Sequence, residues 1–203
     1  MTTQHLDLLN WRRRIFALYA RIRAEPDSRK AWNLWRRERN QMFRSHPQSP
    51  IPPAERDGFE GLTYFEFDPE ARVLAHIEPT DPLRFEIPTS DGTGMPFLRT
   101  GIGHFSLYGR ECTLEVYWLE VYGGGIFISF RDATSGSETY GAGRYLIDTI
   151  KGADLGSTDG KLILDFNFAY NPSCSYDSQW VCPLAPPANR LPVAVRAGET
   201  TPA

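Results

Sequence analysis

Arginine, tyrosine, aspartate and cysteine concentrate in three short stretches of this chain, and each stretch suggests a different chemistry. Residues 130–145 read FRDATSGSETYGAGRY, which sets Arg131, Asp132, Tyr140, Arg144 and Tyr145 around a glycine-rich bend. Arginine offers a planar fork suited to carboxylate or phosphate, and glycine lets backbone amides come close to a ligand. An internal Arg–Asp bridge that pins the loop accounts for the same residues equally well. Asp165 and Asn167 lie two apart in the alternating run LILDFNF, so a strand would project both from one face. If that face looks inward, an acid and an amide converge on a cavity, with Tyr170 and Asn171 close by in the chain.

The third stretch, 170–187, carries Cys174 and Cys182 with seven residues between them. Paired zinc ligands are usually separated by two to four residues, so a metal site built from Cys174, Cys182 and His46 (or His104) is a weak candidate. A disulfide or a sulfenic-acid relay is open to the pair, because the loop is long enough to close. Cys174 as a nucleophile would need a base and oxyanion donors. Packing as small hydrophobes is the simplest reading of both thiols. Four histidines leave few general bases; His46 in a proline-rich segment and His104 lead. No G-x-S-x-G elbow supports a serine hydrolase.

The elements that must position these groups follow from periodicity. Leu8, Trp11, Ile15, Leu18 and Ile22 recur at steps of three and four, an amphipathic helix that Pro26 interrupts. Asp27 or Ser28 can cap a second helix, running to about Arg44, with Trp32, Trp35, Arg39 and Met42 on one stripe. HPQSPIPP (46–53) excludes regular structure. Beyond Gly61 come short alternating runs. Strands are expected at Leu62–Phe67, Arg72–Glu78, Leu83–Ile87, Phe97–Tyr108, Cys112–Val121, Ile126–Phe130 and Leu162–Phe168, with a hairpin at Gly123–Gly125. The fold class is therefore mainly β (α+β by helix content): an antiparallel β-barrel or sandwich with two N-terminal helices. A single domain spans 1–203, comprising a basic helical segment (1–45), a Pro-rich connector (46–60) and a β body with a C-terminal wrapped coil (61–199).

Composition bounds the rest. Hydrophobic residues are 41% and charged residues 23%, ordinary globular usage. No apolar run approaches the roughly 20 residues of a membrane span, and the N-terminus does not resemble a secretory signal. An odd count of three cysteines argues against a secreted disulfide framework, so a cytoplasmic location is expected. Nineteen arginines against three lysines suggest GC-rich bacterial coding. Residues 10–46 hold eleven Arg and Lys against three Asp and Glu, whereas the rest is acidic. Such a segment could bind nucleic acid, but docking of the basic helices on their own acidic body is the favoured reading. Neither G-x-G-x-x-G before a helix nor a Walker A loop is present.

The same stretches carry a family resemblance. HPQSP (46–50), FISFRDATSGSETYGAGRYL (127–146), DFNFAYNPSCSYDSQWVCPLAPPANRL (165–191) and VRAGE (195–199) resemble the prokaryotic family catalogued as domain of unknown function 1684. Weaker similarity runs through YFEFD (64–68) and Gly101–Gly109. The resemblance implies a helical start and a β body, and it points to Arg131, Asp132, Tyr140, Arg144, Tyr145, Asp165, Asn167, Tyr170, Asn171, Cys174 and Cys182. It implies a location for the site and no named activity, substrate or cofactor. The resulting expectation is a pocket for a polar or anionic small molecule, with Arg131 and Arg144 supplying charge. An enzyme using Cys174 or His46, and a nucleic-acid or partner-binding protein, are the alternatives.

Overall fold

Ile15, Leu18, Tyr19 and Ile22 share one side of the first helix, α1 (Thr3–Ala24), and all four are buried, as a helical repeat requires. They come from a computed structural model that describes residues 3–202. The chain turns at Pro26, and the Asp27 carboxylate accepts the backbone N–H groups of Arg29 and Lys30, each at 3.0 Å. That cap starts α2 (Ser28–Ser45). Trp32, Trp35, Arg39 and Met42 form its buried stripe. Trp35 packs against Tyr64 and Phe168, with ring centroids 5.5 and 5.3 Å away. Complete burial of a side chain of this size contributes about 2–3 kcal/mol.

Seven antiparallel strands follow: β1 (Arg72–Pro88), β2 (Gly94–Leu107), β3 (Arg110–Leu119), β4 (Ile126–Phe130), β5 (Arg144–Asp148), β6 (Ser157–Thr158) and β7 (Lys161–Asp165). Their order across the sheet is β5-β4-β3-β2-β1-β7-β6. The mainly antiparallel β body expected from sequence is formed, and strand pairing leaves its sheet open rather than closed into a barrel. A two-bond bridge nevertheless ties edge strand β5 to the chain just after β7. Tyr145 N–H donates to Tyr170 O at 2.8 Å, and Tyr170 N–H donates back at 3.0 Å.

Several boundaries differ from the sequence reading. Arg72–Glu78 and Leu83–Ile87 are one strand, β1, whose register shifts between Pro79 and Leu83. A proline lacks the ladder donor, and a bulge accommodates it without ending the strand. Leu62–Phe67 is not a strand; it makes one bridge, Tyr64 to Glu199. The expected strand Leu162–Phe168 stops at Asp165 and enters a 3-10 turn, Phe166–Phe168. β5 lies where a site loop was expected. It is missed because all five of its residues are buried, so no alternation marks it.

Two cores result. One lies inside the sheet and includes Leu107, Leu114, Phe130, Leu146, Phe166 and Val195. The other joins the helices to the sheet through Leu18, Trp32, Trp35, Ala153 and Phe168. The C-terminal coil lies along the sheet: Arg131 N–H donates to Asn189 O, and Ala133 N–H to Val193 O. The basic helices dock on the acidic body through Arg23, which donates to Asp154 O at 2.6 Å, and through Arg39 with Glu199. Among the described residues no helix is long and apolar enough to cross a membrane.

Candidate functional site

The residues singled out from sequence fall into three separate groups. The first is polar and sealed. Arg144, 1% exposed, donates to Asp132 Oδ2 at 2.8 Å, to Val195 O at 2.9 Å and to Glu199 O at 3.1 Å, and also to Ala197 O. Asp132 in turn accepts the N–H groups of Thr134 and Val195. The guanidinium's donors are therefore committed to Asp132 and the C-terminal segment, and Arg144 is not among the residues lining the cavity between helices and sheet. This is the internal Arg–Asp bridge, with the chain's end as its further acceptor. Arg131 is half-buried, bridged through its backbone to Arg190, and also outside the cavity.

Asp165 and Asn167 form the second group, completely buried. Asp165 closes β7 by accepting Asn167 N–H and Nδ2, at 3.0 and 2.9 Å, and Arg72 Nη1 at 3.1 Å. Asn167 clamps the backbone of Asp68 from both sides, and its carbonyl accepts Trp32 Nε1 at 3.1 Å. Burial raises the Asp165 pKa, opposed by the Asn167 and Arg72 hydrogen bonds. The anticipated convergence on a cavity does not occur. The strand ends at Asp165, so the two side chains turn toward each other and toward the helical layer.

The third group does meet a cavity. A pocket of about 350 Å³ lies between the helices, β5 and the coil after β7, and Tyr145, Tyr170, Asn171 and Cys182 line it. Tyr19, Trp11 and Phe43 from the helices and Trp180 from the coil bring the aromatic side chains in its wall to six. Three cations also line it: Arg12, Arg39 and Lys151. Arg39 is buried and paired with Glu199, among the rings of Trp35, Phe43 and Tyr170, each centred 5.0 Å away. Lys151 lies 3.2 Å from Asp148, whose charge raises the ammonium pKa. Arg12 has no carboxylate partner among the described residues. Two polar atoms in this lining are buried without a hydrogen bond, the acceptor Asn171 Oδ1 and the donor Trp180 Nε1. Asn171 itself is held by its other groups: N–H donates to Glu199 Oε2 and Nδ2 to Thr200 O, both at 2.7 Å.

Sequence reasoning missed Arg12, Tyr19, Arg39, Lys151 and Trp180. One signal was available for Arg39. An arginine on an apolar helical stripe, flanked by Trp35 and Phe43 four positions to either side, must find a buried partner.

Beside the cavity, Cys174 sits on the 3-10 turn Ser173–Ser175, half-exposed, while Cys182 is buried. Tyr140 Oη lies 3.9 Å from Cys174 Sγ. Mutual hydrogen bonding between the two thiols lowers the Cys174 pKa to about 6, despite burial and helped by Ser90 and Tyr140; it raises that of Cys182. His46 is not beside them. Its Nδ1 accepts Gln48 N–H at 3.1 Å, its Nε2 lies 3.0 Å from Asn10 Oδ1, and Trp11 packs on its ring. Both ring nitrogens are engaged, so His46 holds the connector to α1 rather than facing a reactive group. Among the described residues no group of three His, Cys, Asp or Glu could hold a metal ion, so His46 does not join the two cysteines.

Fold and site together define a mainly β protein whose N-terminal helices roof an aromatic, cation-bearing cavity. The chain belongs to the DUF1684 family of proteins of unknown function, whose model matches residues 57–200. A solved structure, the solution NMR structure of the uncharacterized protein from gene locus rrnAC0354 of Haloarcula marismortui, is similar at 37% identity and a TM-score of 0.61. The similarity covers 85% of this chain and 94% of that one. Comparison with curated proteins found no match.

Proposed function

We propose that this protein binds a small amphipathic anion, an apolar or aromatic body bearing a carboxylate or similar head, in the cavity between helices and sheet. The observation that carries this reading is the pairing of aromatic rings with cations in one lining: Tyr19, Tyr145 and Tyr170 share it with Arg12 and Lys151. Arg12 and Lys151 at the same lining favour a negative head, and the rings of Tyr19, Tyr145 and Tyr170 suit an apolar body. At about 350 Å³ the space is at the small end of ligand cavities, so a compact monocarboxylate fits better than a nucleotide.

Thermal shift with phenylpropionate, octanoate and their uncharged amides tests this. A ligand that binds only the native state raises the melting temperature with the logarithm of its concentration above Kd. The carboxylates are expected to stabilise and the amides to do so less, with the difference lost in Arg12→Glu. No shift with either carboxylate, or equal shifts with acids and amides, overturns the reading.

A further inference from the structure

The coil after β7 places two thiols, a phenol and a serine hydroxyl together, and the cavity ligand needs only one of them. Cys174 presents its sulfur from a half-exposed turn between Pro172 and Tyr176. Cys182 faces it from the buried side, close enough that each thiol shifts the other's titration. Tyr140 Oη stands 3.9 Å from the same sulfur. Ser90 Oγ accepts the backbone N–H of Cys182 at 3.1 Å and donates to Trp180 O at 3.0 Å, which fixes the position of the buried cysteine. Between them the chain is held by local turn bonds, Asp177 N–H to Ser173 O and Trp180 N–H to Asp177 O, and by two longer ones, the Tyr176 hydroxyl to Glu199 Oε2 and the Ser90 hydroxyl to Trp180 O, both at 3.0 Å.

The geometry points to a peroxide-reactive thiol pair, in which Cys174 attacks a hydroperoxide and Cys182 resolves the product as an intrachain disulfide. In the first step the Cys174 thiolate displaces on the outer peroxide oxygen. The S–O bond forms, the O–O bond breaks, and the departing alkoxide takes up a proton to leave as an alcohol, or as water when the oxidant is hydrogen peroxide. Cys174 is then a sulfenic acid. In the second step the Cys182 sulfur attacks the Cys174 sulfur. The S–S bond forms, the S–O bond breaks, and hydroxide leaves with the Cys182 proton as water. The two thiols give up two electrons and the peroxide accepts them; a dithiol reductant reverses the change.

The donors suit each role. Tyr140 stabilises thiolate on Cys174, and the depressed pKa of that thiol agrees with the arrangement. Cys182 keeps its proton while it donates to Cys174, which preserves it as the resolving partner. Cys112 is an internal control: it lies buried in β3, and burial raises its pKa.

The experiment uses the full chain and hydrogen peroxide at pH 7, followed by intact mass and peptide mapping. Loss of two hydrogen masses, mapped to a Cys174–Cys182 disulfide with Cys112 still free, is the expected result, at a rate at least about tenfold above that of glutathione. Cys182→Ser should instead accumulate a dimedone-reactive sulfenic acid at Cys174. Iodoacetamide labelling of the wild type provides a readout that needs no variant, with Cys174 expected to titrate near pH 6. Oxidation no faster than glutathione, a disulfide involving Cys112, or labelling with a midpoint near an ordinary thiol's roughly 8.5 overturns the proposal.

Discussion

Arg39 and Glu199, 160 positions apart, form a buried ion pair that fastens the second helix to the C-terminal segment. The pair is also a hub. Glu199 accepts Asn171 N–H at 2.7 Å and the Tyr176 hydroxyl at 3.0 Å, so its carboxylate organises both the cavity lining and the turn that follows it. Glu199 is 1% exposed and Arg39 6%, so neither charge has water to fall back on.

Removing one partner should therefore cost more than removing both. Arg39→Met or Glu199→Gln is expected to lose about 3–5 kcal/mol in urea unfolding, because an uncompensated charge or its donors stay buried. The double variant should lie well short of the sum of the singles. Additivity within experimental error would show that the two groups do not act as a pair.

Arg144 is expected to be structural rather than ligand-binding in its direct effect. Arg144→Lys keeps the charge but cannot serve Asp132 and the carbonyls of Val195, Ala197 and Glu199 with one ammonium. We expect a loss of about 3–5 kcal/mol, as for breaking a buried pair. A stable Arg144→Lys protein with altered ligand affinity alone would contradict the geometry.

Gly143 sets the backbone that sends Arg144 one way and Tyr145 the other. Its φ is +99°, and a Cβ there would lie 2.6 Å from Phe130 O and 2.7 Å from the Ala185 Cβ. Gly143→Ala should destabilise by roughly 2 kcal/mol or more through strain and overlap together. A melting temperature unchanged from wild type would show that the strand can relax.

His46 predicts an acid-side loss of stability. Burial foremost, then the positive charge of Arg14, lowers its pKa below the ordinary 6.5. Protonation would also set a new N–H against the Gln48 donor. As pH falls through 6.5 the unfolded chain takes up the proton first. The stabilisation is thus complete above 6.5 and declines toward the lower folded pKa, by at most about 1.4 kcal/mol per pH unit. His46→Gln should be less stable at pH 7 and lack this component of the slope between pH 7 and 5. A variant whose pH profile parallels the wild type would show that another group carries the dependence.

Both helices, the Asp27 cap and most strands could be read from the chain because their signals are local. A repeat of three and four, a carboxylate ahead of two free N–H groups and an alternation of period two each act within a few residues. Part of the cavity lining was also among the residues singled out from sequence: Tyr145, Tyr170, Asn171 and Cys182. Their neighbours Arg144, Asp165 and Asn167 do not line it, although the same motifs carry them. Adjacent residues of a strand point to opposite faces. Which face meets a sealed network and which meets a cavity depends on what packs there. For β5 that is settled by its ladder with β4 and its bridge to Tyr170, 25 positions away in the sequence. Only the tertiary structure brings Arg39 to Glu199 and α1 over Tyr145, because burial of a charge is tolerable only once its distant partner has arrived.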